Sequence, residues 1–124
     1  MAAGKLNLNI EQGATFFKTF TLKDSLGVEI NLTGYTFSGK IRQRYDAPSV
    51  VATFTCAVLN QTSFEGQFTI TLTAAETAAI PVDPSKTVLR DLTEYLYDIE
   101  AIKPDSTVDR ILEGKALVSP EVTR

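Results

Sequence analysis

Apolar and polar residues alternate with a period of two along most of this chain, and that rhythm restricts it to half-buried β-strands. Leu6, Leu8 and Ile10 share one face, with Asn7 and Asn9 on the other. Phe16, Lys18, Phe20 and Leu22 alternate with Phe17, Thr19 and Thr21. The turn cluster Asp24-Ser25-Leu26-Gly27 then leads into Val28, Ile30 and Leu32, which predicts a hairpin. The cleanest pattern sets Tyr35, Phe37, Gly39 and Ile41 against Thr36, Ser38, Lys40, Arg42 and Arg44. Phe54, Cys56 and Val58 alternate with Thr53, Thr55 and Ala57, and Phe68, Ile70 and Leu72 with Thr69, Thr71 and Thr73.

Near the C-terminus, Tyr95, Tyr97, Ile99 and Ala101 predict a strand over 94–102, and a last strand runs over 108–118. The last strand is apolar on both faces, so it is either central in a layered packing or covered by a partner. One segment breaks the period: Thr73-Ala74-Ala75-Glu76 reads as a capping box opening a short helical turn near 74–80. Residues 82–90, punctuated by Pro84, read as an irregular loop.

The fold class predicted is therefore all-β, an antiparallel two-sheet β-sandwich of seven or eight strands with one helical turn. A length of 124 residues fits a single domain over 1–124, with extended tails at 1–5 and 119–124. The first ten residues lack the continuous apolar stretch of a signal peptide, and no run approaches the roughly 18 apolar residues of a membrane helix. The expectation is a soluble chain with no membrane association.

The chain contains no histidine, which removes the commonest general base and the commonest metal ligand. Its one cysteine, Cys56, lies on the apolar face of a strand, where burial raises a thiol pKa and blocks access. Asp98 and Glu100 point to one face of a strand, with Asp91 and Glu94 near in sequence. Their spacing specifies neither a glycosidase pair nor a calcium site, and a solvated outer face accounts for them. The glycines form no phosphate-cradling loop ahead of a helix. Catalytic, cofactor-binding and metal residues are accordingly predicted to be none, and the chain is expected not to be an enzyme.

Lys40, Arg42 and Arg44 form a basic row beside Tyr45. A formal net charge of −3 and the lack of interleaved aromatics on that face argue against nucleic acid as its partner. The row is left two roles: cross-strand pairing with Asp98 and Glu100, or contact with an acidic protein surface.

Four segments carry a resemblance. They are 8–16 (LNIEQGATF), 32–36 (LTGYT), 66–70 (GQFTI) and 112–123 (LEGKALVSPEVT). Together they resemble small tailed-bacteriophage virion proteins, and the N-terminal β-sandwich domain of the phage baseplate upper protein family. The resemblance implies a non-enzymatic virion structural protein, made in the host cytoplasm, that acts as a tail, baseplate or fibre-attachment adaptor. Chains of that family continue into a long helical or fibrous region and a further domain, whereas this one ends after the sandwich. It is therefore expected to bind other virion proteins through its own faces and tails, with self-association into a homo-oligomer as one route to avidity. The contact residues expected are Lys5 with the rest of 1–5, Lys40, Arg42, Arg44, and Pro120 to Arg124. Two other functions fit a small β-domain: a capsid decoration or cement protein, and a carbohydrate-binding module. The second is disfavoured by the absence of tryptophan and by phenylalanines that fall on core faces.

Overall fold

The computed structural model describes residues 4–82 and 92–121. Among them are eight strands: β1 (Gly4–Lys5), β2 (Leu8–Glu11), β3 (Phe16–Thr21), β4 (Thr36–Arg42), β5 (Ala52–Val58), β6 (Gln67–Leu72), β7 (Thr93–Ile102) and β8 (Val108–Ser119). A single short helix, α1 (Ala74–Ala78), lies between β6 and β7. The all-β expectation and the helical turn are both present. Thr73 accepts the backbone N–H of Glu76 through its side chain, and the Glu76 carboxylate accepts the Thr73 N–H, which completes the capping box.

Hydrogen bonding joins the strands in one path, β1-β8-β7-β4-β5-β6-β3, with β2 following β1 along the same edge of β8. Strand β5 turns the corner. Its first half pairs with β4 and its second half with β6. The sheet curls strongly there. Phe37 on β4 stacks on Phe68 on β6 with ring centroids 4.0 Å apart, although β5 separates the two strands. In a flat sheet, strands two places apart would lie about 9.5 Å from each other. The curl encloses one core, in which Leu8, Leu32, Ile41, Phe54, Phe68, Ile70, Leu72, Ile80, Ile99 and Val118 are buried. Of the two faces of β7, the one that carries Tyr95, Tyr97, Ile99 and Ala101 turns inward and is buried at every position.

Three expectations change. The sheet is not wholly antiparallel, because β1 and β2 both pair with β8 in parallel. Local alternation marks a strand but carries no information about the direction of a partner far along the chain. The hairpin predicted after β3 survives only at its tip, as a bridge between Lys23 and Glu29, and β3 pairs with β6 instead. The tails are also shorter than expected. Gly4 and Lys5 form β1, and Ser119 pairs with Glu11. Residues 1–3 and 122–124, together with Asp91 and all of the predicted 82–90 loop but Val82, lie outside the described residues.

The open side of the curl is clasped by polar side chains. Gln12 donates to the Ile80 carbonyl at the end of α1 (2.9 Å), and its side-chain oxygen accepts the Glu121 N–H (3.0 Å). The buried Thr77 hydroxyl accepts the Gly13 N–H at 3.0 Å and donates to the Ala14 carbonyl at 2.8 Å. Gly13 takes φ +87°, a left-handed conformation that favours glycine, and the Glu121 carboxylate packs where a Cβ would stand.

Candidate surface for a protein partner

Outward positions of β4, β7, β8 and β1 meet in one cross-strand row. Lys40 lies opposite Asp98, Asp98 opposite Glu113, and Glu113 opposite Lys5. The two carboxylates at the centre of this row would repel each other as direct cross-strand neighbours. Arg110 relieves that repulsion, with Nε 3.3 Å from Asp98 and Nη1 3.9 Å from Glu113. These pairs are partly solvated, so each is worth less than about 1 kcal/mol, and their main effect is to fix where charge sits.

Beside this row is a groove of about 400 Å³, lined by Lys40, Arg42, Arg44, Tyr45, Asp98, Glu100 and Arg110 among others. Lys40 is exposed on β4, whereas Arg42 is half-buried and donates to the Ala47 carbonyl at 3.0 Å. Strand β4 ends at Arg42, so Arg44 is not on the predicted strand face. It occupies the following turn, closed by the Ala47 N–H to the Arg44 carbonyl, and pairs with Asp46 at 2.8 Å. Tyr45, at the tip of that turn, is 76% exposed.

The structure therefore brings Lys5 and Lys40 into one row with Asp98 between them, and lines the adjoining groove with Lys40, Arg42, Arg44 and the predicted acids Asp98 and Glu100. Pro120 is elsewhere: it is half-buried beside the clasp formed by Gln12 and Glu121. Arg124 lies outside the described residues. Sequence reasoning missed Arg110. Its place depends on the register of β7 on β8, which shifts between Ile99 and Glu100, and no local pattern reveals such a shift.

Cys56 is half-buried against the core, and burial pushes its thiol pKa up. Among the described residues, no group of three or more histidine, cysteine or acidic side chains is placed to hold a metal ion. No helix among them is long and apolar enough to cross a membrane. No protein-family model matches the chain, and no curated protein matches it.

Proposed function

We propose that this chain is a non-enzymatic structural protein of a tailed-phage virion, an adaptor at the tail, baseplate or fibre attachment. In this reading it holds its partner through the face that carries Lys5, Lys40 and Arg110. The observation behind it is the mixed-charge row with an adjoining groove and an exposed tyrosine. Charged rims fix orientation and exclude wrong partners, and tyrosine supplies contact area at low entropic cost. Two of the segments that carry the resemblance meet in the clasp, where Gln12, Gly13 and Glu121 close the core. We read the curl as a sandwich-like packing, with β3, β6 and the second half of β5 laid over β2, β4, β7 and β8.

The test is incorporation of tagged chain into virions, quantified per particle by mass spectrometry. The wild type is expected at the low copy number of a tail component. The Lys40→Glu/Tyr45→Ala double variant is expected at least tenfold lower, with an unchanged melting temperature. Absence of the wild type from virions overturns the proposal. A copy number that scales with the capsid lattice replaces the adaptor by a decoration protein.

A further inference from the structure

Strand β3 ends the hydrogen-bonded path, and among the described residues β6 is its sole strand neighbour. The Leu22 N–H donates to the Gly66 carbonyl at 2.7 Å, continuing the β3–β6 ladder. Even-numbered residues of β3 thus aim their backbone groups at β6. By alternation, Phe17, Thr19 and Thr21 turn their N–H and C=O groups to the free edge. The side chains of these three residues share the outer face, and Phe17 is 63% exposed. A six-residue edge without proline or bulge is a template for another strand.

We infer that the occupant of this edge is β3 of a second copy, paired antiparallel about a two-fold axis through Thr19. Of the two registers that keep five residues of β3 paired, centred on Lys18 or on Thr19, the sequence favours the second. Residues directly opposite one another share a face, so a two-fold pairing must centre on a residue. Centring on Lys18 sets two ammonium groups against each other, which like-charge repulsion disfavours. Centring on Thr19 sets Thr19 against Thr19, Phe17 against Thr21, and Lys18 against Phe20. All three outward-facing residues of each strand then exchange backbone hydrogen bonds. Lys18 already lies 6.0 Å from the ring centroid of its own Phe20, so the geometry that attracts a cation to this ring exists before pairing. The groove on β4, β7 and β8 plays no part, so this inference stands or falls separately from the adaptor reading.

Two variants of the exposed Thr19 test it by light scattering over a concentration series. Wild type is expected as a dimer with a concentration-dependent mass. Thr19→Glu and Thr19→Lys each place like charges at the axis, and each is expected to dissociate at least tenfold more readily, with unchanged circular dichroism. Mixing the two variants is expected to restore the dimer, because Glu then faces Lys. A wild type that stays monomeric at millimolar concentration overturns the inference. So does a dimer indifferent to either charge, or a mixture that fails to recover.

Discussion

At the residue scale, a few polar side chains set the closure of the core. Thr77 is fully buried, and its one hydroxyl serves the backbone of both Gly13 and Ala14. Thr77→Val keeps the shape but leaves an N–H and a carbonyl without that partner. It is expected to cost about 2 kcal/mol in urea unfolding, with the slope of the transition unchanged. Tyr97 is the other such residue. Its hydroxyl donates to the Leu6 carbonyl at 2.6 Å, and burial pushes its pKa up to about 12, against about 10 for an unfolded tyrosine. The folded state holds this proton more tightly, so the stability it contributes is complete below pH ~10 and is lost as pH rises through ~12. Tyr97→Phe is expected to be about 1 kcal/mol less stable at pH 7 and to lose less stability between pH 10 and 12 than wild type. Parallel denaturation series at the two pH values measure the difference.

At the scale of elements, the parallel docking of β1 and β2 onto β8 depends on a glycine. Gly114 lies opposite Tyr97, and a Cβ there would fall on the Leu6 carbonyl that Tyr97 bonds. The obstacle is backbone, which cannot rotate away. Gly114→Ala is therefore expected to cost about 3 kcal/mol and to raise amide exchange across 4–11 before the rest of the sheet. Sequence alternation located β4 to β8 within a residue or two, because each has one face against the core. The helix was legible for a different reason: Thr73 and Glu76 act within one turn, so all of its signal is local. The direction of β1 and β2, the partner of β3 and the inclusion of Arg110 were not legible. All three depend on contacts between distant segments. Of the candidate surface, Lys40, Arg42 and Arg44 could be read from the chain, but the row that joins Lys40 to Lys5 could not. That row needs the parallel pairing of β1 with β8.

At the scale of the whole molecule, the charged face and the free edge of β3 are separate surfaces on one curled sheet. The outward row spans β1, β8, β7 and β4, whereas β3 lies at the far end of the path. In the dimer we infer, contact at one surface would leave the other available, so a pair of copies would hold two partners. The free thiol does not compromise such an assembly. Cys56 is held against the core with a raised pKa, so native protein is expected to react with a thiol reagent at pH 8 at least tenfold more slowly than protein in denaturant.

The parallel pairing of the first strands with the last also governs how the chain is made. The Lys115 backbone N–H donates to the Asn7 side-chain oxygen across a separation of 108 residues, and Leu8 and Ile10 are buried beside Ala116 and Val118. During synthesis β2 emerges well before β8, so its apolar face stays uncovered until β8 follows. The β2–β8 pairing therefore closes only after translation of β8, and until then Leu8 and Ile10 lack the residues that bury them in the folded sheet.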